Sequence, residues 1–315
     1  MVYKNTIRTS LIIIFIFQLS LPTPGGYQVK SAALGESDQT AYAKELQKWR
    51  SDRLEEVNGE DGWTTLVGLF WLKPGLNKLG SDPSNDIVLP RPGAPKFVGS
   101  IRLDNEVVRL EANAKAGITS DGKPAANLEL QSDEKGKPTI LKLGSLKLFL
   151  IKRGERLGLR VKDIRNPARS NFAGLGYFPI NLKLNLKATF VAYNPPKVIP
   201  IINVLGMVEN MNSPGALQFE IDGNNYSLDS VLEKGSKQLF IIFADKTSGK
   251  ETYGAGRYLY AEPPNADGGV ILDFNKSYNP PCAFTKFATC PLPPRQNRLN
   301  FRMEAGEKKY EGAQH

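Results

Sequence analysis

Thr139-Ile-Leu-Lys-Leu-Gly-Ser-Leu-Lys-Leu-Phe-Leu-Ile-Lys-Arg-Gly-Glu-Arg-Leu-Gly-Leu-Arg-Val161 carries the alternation of the chain in its plainest form. Apolar residues alternate with polar or small ones through Thr139–Leu143, Leu146–Ile151 and Leu157–Val161, and Gly154 separates the last two runs. A period of two places one set of side chains on one face, which is the pattern of a half-buried strand and not of a helix. Gly99-Ser-Ile-Arg-Leu103 and Glu106-Val-Val-Arg-Leu110 repeat it upstream, with Asp121-Gly122 as a turn between the groups. Short strands at this spacing predict a β-sandwich or barrel over residues 63–163. Strands do not alternate with long helices, which excludes a doubly wound α/β fold.

The texture continues beyond that block. Strands are expected at Leu182–Tyr193, Val198–Gly206, Gly215–Ile221, Gln238–Phe243, Arg257–Tyr260, Gly269–Phe274 and Leu299–Glu304. Asp222-Gly223 reads as a hairpin turn. The neighbouring Asp-Gly-Asn-Asn lacks the spacing and closing Glu of a calcium loop. Residues 164–315 therefore form a second β-rich domain, barrel-like or a strongly curved sheet, so the chain is mainly β. Upstream, Tyr42, Leu46, Trp49 and Leu54 recur at helical spacing after the cap candidates Ser37 and Asp38. They predict a helix over 39–57, closed by Asn58-Gly59, inside a helix-and-linker segment 34–62. Trp49, Trp63 and Trp71 cluster here, as expected if the helix docks its aromatic face on a β-domain; a ligand-stacking platform is the alternative. Residues 1–33 begin with Lys4 and Arg8, followed by Leu11-Ile-Ile-Ile-Phe-Ile-Phe17 and then Ser31-Ala32-Ala33. That is the layout of a cleaved secretory leader, too short to span a bilayer. A secreted or periplasmic location follows as an expectation, with membrane contact only through the leader.

Composition excludes several chemistries. The only histidine is His315, at the terminus, so His-based triads, dyads and zinc sites are not expected. Lys4, Arg8 and Lys30 fall in the leader, leaving 38 of the 41 basic residues against 32 acidic ones. These bases are dispersed, so nucleic acid is not an expected partner. No cofactor or metal is expected.

The chemistry-bearing residues concentrate after residue 245. Asp273, Asn275, Tyr278 and Asn279 follow the apolar run Val270-Ile-Leu272, where a strand should end. Pro280-Pro281 and Pro291-Leu-Pro-Pro294 stiffen the loop that holds Cys282 and Cys290. In an oxidising compartment the expectation for the two cysteines is a disulfide; a carboxylate-assisted metal site or a free thiol are the alternatives. In Glu251-Thr-Tyr-Gly-Ala-Gly-Arg257 the glycines could admit an anionic group to Arg257, or Arg257 could sit in a structural ion pair. Arg165, Asn166 and Arg169 at the domain junction carry the same two readings. Arg257, Asp273, Asn275, Tyr278, Asn279 and Asn297 together would suit a small polar or anionic ligand, and equally a polar network that satisfies irregular backbone.

Two resemblances attach to quoted motifs. Gly75-Leu-Asn-Lys-Leu-Gly80-Ser-Asp-Pro-Ser-Asn-Asp-Ile87-Val-Leu resembles the opening of a forkhead-associated (FHA) sandwich. Ser81 stands where that family's phosphothreonine-binding Arg would be, and Pro95–Gly99 stands in place of its Ser-x-x-His, so phosphopeptide binding is not implied. Asp61–Leu72, Gly80–Asp86, Phe172–Pro179, Asp245–Leu259, Leu272–Pro294, Asn297–Leu299 and Ala305–Lys308 resemble the uncharacterised family called domain of unknown function 1684, over nearly the whole chain after the leader. That resemblance implies no reaction. A small-ligand-binding envelope protein is the leading functional expectation. The alternatives are a hydrolase or transferase using Asp273 as base with Arg257, or Cys282 as nucleophile, and a structural interaction module. Oligomeric state is not legible.

Overall fold

Leu146–Arg153 and Arg156–Asp163 pair antiparallel from Leu146↔Asp163 to Arg153↔Arg156, around a turn in which Gly154 takes φ 57°. In this computed structural model, residues 36–312 are described. The leader expected over residues 1–33, and His315, lie outside the described residues. The described residues divide between two units, 36–41 and 42–312. Of the first, the described part is the opening of a helix, Glu36–Asn58.

The alternation read from residues 139–161 is realised as a two-sheet sandwich. One sheet has six strands, in the order Leu66–Trp71, Arg156–Asp163, Leu146–Arg153, Leu141–Leu143, Thr119–Ser120 and Lys123–Pro124. The other has five, in the order Ile87–Val88, Gly75–Gly80, Gly99–Asp104, Val107–Ala112 and Asn127–Leu130. Leu141, Leu148, Leu159 and Val161 meet Leu79, Ile101 and Leu110 in one core. Burying each such side chain contributes about 1.5–3 kcal/mol. Gly80 is required by contact: a Cβ there would lie 2.2 Å from the Lys96 carbonyl oxygen. That carbonyl also accepts a hydrogen bond from Asn85 Nδ2 at 2.9 Å, which holds the Ser81–Asp86 loop in place.

The second sheet body has six strands, in the order Arg257–Ala261, Leu239–Phe243, Asn224–Leu232, Val208–Ile221, Asn185–Ile202 and Gly269–Asp273, curled into a half-barrel. Leu239–Phe243 is buried at every position, because both faces of the sheet are covered. Leu217, Ile241 and Leu272 pack on one side, and Met211, Phe240 and Ile242 on the other. The Asp222-Gly223 hairpin is present, with φ 50° and 77° at the two turn residues, as a two-residue primed turn requires.

Three details differ from expectation. The strands expected at Leu182–Tyr193 and Val198–Gly206 are one strand, Asn185–Ile202, with a register shift between Ala192 and Lys197 against its partner. Leu299–Glu304 keeps the alternation, with Leu299 and Met303 buried, but is not a strand: Leu299 N–H bonds to Ala244 O and Met303 N–H to the Asp245 carboxylate, so no continuous ladder forms along it. In the helix, Leu54 is 45% exposed, and the inward seat belongs to Arg53. Tyr42, Leu46, Arg53 and Val57 lie on one face, and Arg53 fits there because Glu307 meets its Nε at 2.9 Å. Trp49 does face the β-body, edge-on to Tyr177 with ring centroids 6.5 Å apart.

Candidate functional site

The polar residues expected to form the site sit at the ends of strands and are turned inward. Asp273 caps the short turn Phe274–Lys276, accepting from Asn275 N–H at 3.2 Å and from the Tyr42 hydroxyl at 2.8 Å. Asn275 exchanges two hydrogen bonds with the backbone of Asn181, each at 2.9 Å. Asn279 Nδ2 donates to Lys308 O at 2.7 Å, and its backbone N–H donates to the Glu307 carboxylate at 2.9 Å. Asn297 ties Asp229 to Ile242 through three hydrogen bonds of 2.8–2.9 Å. Arg257 is fully buried; it pairs with Asp245 at 2.9 Å and donates to the carbonyls of Met303 and Ala305. Asp273 and Asn275 are thus brought together, and Arg257 and Asn279 both reach Glu307. Asp273 and Arg257 share no hydrogen-bonding partner. At the junction, Asn166 donates to Thr64 O at 2.6 Å and Arg169 to Gly59 O at 3.3 Å, both of them backbone ties.

The expected disulfide is corrected. Cys282 and Cys290 are free and buried, and the Cys282 N–H donates to the Cys290 sulfur at 3.0 Å. The proline-braced loop brings the two residues together without joining them. A hydrogen bond from Cys290 holds the Cys282 thiol below its usual range, while burial pushes Cys290 well up. Among the described residues there is no group of three or more His, Cys, Asp or Glu side chains able to hold a metal. Native protein should therefore resist a thiol reagent. Unfolding without reductant should release two reactive thiols per chain, measured by Ellman titration; none released would mean a disulfide after all.

A larger concavity lies elsewhere within residues 42–315. A cleft of about 880 Å³ opens between the six-stranded sheet of the sandwich and the half-barrel. One wall carries Asp133, Lys152, Arg153 and Arg160, and the other carries Glu209, Met211, Glu233 and an aromatic panel. In that panel Phe240 stacks on Tyr260 with centroids 4.8 Å apart, and Tyr260 stacks on Tyr278 at 6.3 Å. Tyr258 stands edge-on to Phe240 at 4.9 Å. Burial, with Tyr278 beside it, pushes the Tyr260 hydroxyl far above its ordinary value, so the panel is uncharged. Of the six expected ligand residues, Tyr278 lines this cleft and the other five do not; Cys290 lines it too.

Arg160 shows how the strand pattern builds the opposite wall. Leu157, Leu159 and Val161 enter the sandwich core, so Gly158, Arg160 and Lys162 take the outer face. An outer-face Arg should be wet, yet Arg160 is only 6% exposed, with the Trp63 ring and Thr289 of the proline-braced loop against it. Burial, reinforced by Arg153, lowers it to about 10. Its guanidinium lies 5.5 Å from the Trp63 ring centroid. Sequence reasoning did not single out Arg160, Phe240, Tyr258 or Tyr260. The available signal was the Arg at an outward position of a strongly apolar strand, but nothing local shows what covers it.

Residues 170–308 match the family model described as "Protein of unknown function (DUF1684)". The match corrects the expected near-complete coverage: Asp61–Leu72 and Gly80–Asp86 lie outside it, as does the sandwich with its FHA resemblance. Among solved structures, the chain is similar to an uncharacterized protein of Haloarcula marismortui determined by solution NMR. The two are 33% identical over 44% of this chain and 78% of that one, with a TM-score of 0.38. No curated protein matches the chain.

Proposed function

We propose that this is a small-ligand-binding protein of the cell envelope, and that its site is the cleft between the sandwich and the half-barrel. The observation that carries the proposal is the cleft itself. Its volume of about 880 Å³ falls in the range of small-molecule sites, and a mostly aromatic wall with a few convergent polar groups is the usual lining of such sites. Tyr260, 36% exposed, presents the open part of this wall to a ligand and is backed by the buried rings of Phe240 and Tyr258, while the charged groups opposite would fix the ligand's orientation. Asp273 and Arg257 lie outside the cleft and share no partner, so no geometric observation favours the hydrolase reading. The sandwich supplies one wall of the cleft through Lys152, Arg153 and Arg160. Export rests on the leader over residues 1–33.

One experiment tests both parts. Chain recovered from a periplasmic extract should have lost the leader by intact mass. That mature chain should melt higher in the presence of at least one member of a panel of sugars, sugar acids and aromatic acids. Tyr260→Ala should remove the rise. A chain that keeps its leader counts against export, and no rise across the panel counts against the cleft.

A further inference from the structure

We infer that Arg160 is the anion-receiving residue of the cleft, and that the ligand is a ring compound carrying a single carboxylate; this rests on the cleft being a binding site. Among the described residues, the chain gives its other two buried arginines a carboxylate each. Arg257 is paired with Asp245 at 2.9 Å, and Arg53 with Glu307 at 2.9 Å. A buried charge without a partner is strongly unfavourable, and proteins normally place a carboxylate against it. Arg160 is the exception. Although 94% of it is covered, going by its 6% exposure, no carboxylate among the described residues forms an ion pair with it. Its one hydrogen bond is Nη2 to the Thr289 hydroxyl at 3.3 Å, and its Nε has no partner at all. Asp133, the carboxylate whose field reaches it, is held by Arg153 at 2.8 Å and by the Lys152 N–H at 2.9 Å.

The free edge, Nε with a weakly engaged Nη2, is the side of a guanidinium that takes a carboxylate through two parallel hydrogen bonds. Trp63 backs the group, and Tyr260, 36% exposed, supplies aromatic surface in the same cleft with Tyr258 and Tyr278 packed around it. The remaining charges set the ligand's total. The cleft is lined by five carboxylates, Glu56, Asp133, Glu134, Glu209 and Glu233, against Lys152, Arg153, Arg160 and Lys234. The other lining charges are on balance negative, so an anion is favoured only where it meets Arg160 directly, and a phosphate ester or a polyanion is disfavoured.

The test is titration calorimetry on the full mature chain. The probes are glucuronate and benzoate, their neutral counterparts glucose and benzamide, and glucose 6-phosphate as a dianion. Each carboxylate should bind at least about tenfold more tightly than its neutral counterpart, the scale of charge-assisted hydrogen bonds. Arg160→Met should abolish that difference while leaving the neutral affinities within about twofold, and Arg160→Lys should keep only part of it because an ammonium cannot fork. Without ligand, Arg160→Met should melt no lower than the native chain, since it removes a charge that has no partner; a clear fall assigns Arg160 to the fold instead. Equal affinity for acids and neutrals, or a difference that survives Arg160→Met, overturns the inference and leaves the cleft reading standing. Tighter binding of glucose 6-phosphate than of glucuronate overturns the single-charge assignment. No binding by any of the five overturns both.

Discussion

Arg257→Met should lower the unfolding free energy by about 3–5 kcal/mol, the range for breaking one side of a buried ion pair. Both side chains of the Arg257–Asp245 pair are 0% exposed, so removing the guanidinium leaves a carboxylate with no water to solvate it. The damage would spread through Asp245, which accepts from Thr247 N–H at 2.8 Å, from the Thr247 hydroxyl at 2.6 Å and from Met303 N–H at 3.1 Å. The lost guanidinium also strands the carbonyls of Met303 and Ala305. Urea unfolding followed by tryptophan fluorescence would measure the loss. The double variant Arg257→Met with Asp245→Asn should recover part of it, because a neutral amide is cheaper to bury than an unpaired charge. A loss below about 1 kcal/mol, the surface-pair range, would mean that the pair is solvated and Arg257 is available to a ligand.

The same residue shows where sequence reading stopped. Gly254-Ala-Gly-Arg257 admitted two readings, an anion site and a structural ion pair, and the motif cannot separate them. The choice depends on Asp245 and on the carbonyls of residues 303–307, which are 12 to 50 positions away. Features set by neighbouring residues were legible. The alternation through Leu157–Val161 gave the strand and its two faces, and Asp222-Gly223 gave the turn, because period and positive φ are local properties. Leu54 failed for a physical reason: the helix could turn either Arg53 or Leu54 inward, and a buried Glu307, 254 residues from Arg53, decided it. Leu299–Glu304 alternates like a strand but meets only Ala244 and Lys246, just beyond the end of Leu239–Phe243, so the pairing does not extend into a ladder. The cleft was the least legible feature. Its walls come from residues as distant as Arg160 and Thr289, 129 apart, and only the docking of the half-barrel on the sandwich brings them together.

Gly306→Ala should be nearly as costly as Arg257→Met, and the reason makes physical sense of the short motif Ala305-Gly-Glu-Lys308. Gly306 takes φ 77°, and an added Cβ would lie 2.2 Å from the Ser277 hydroxyl, 2.3 Å from Ser277 O and 2.8 Å from Phe274 O. The hydroxyl could rotate away. The two carbonyls belong to backbone and cannot move without opening the turn at 274–277. Left-handed φ alone disfavours alanine by about 1 kcal/mol, and the backbone overlap should raise the total to about 3 kcal/mol or more, in the range of overpacked sites. The glycine's neighbours are the groups the interior depends on. Ala305 O receives Arg257, and the Glu307 carboxylate receives Arg53 and the Asn279 N–H. Displacing Gly306 therefore loosens both buried ion pairs and, through the Tyr278 backbone beside Asn279, the aromatic wall of the cleft. The expected result is a cooperative loss: a lower urea midpoint, together with weaker binding of neutral ring compounds as well as acids. Arg160→Met should weaken only the acids, so the two variants separate the support of the site from the charge within it. If Gly306→Ala kept the native midpoint, the turn at 274–277 would have to be free to shift, and the rigid packing of Tyr278 against Tyr260 would have to rest on something other than this glycine.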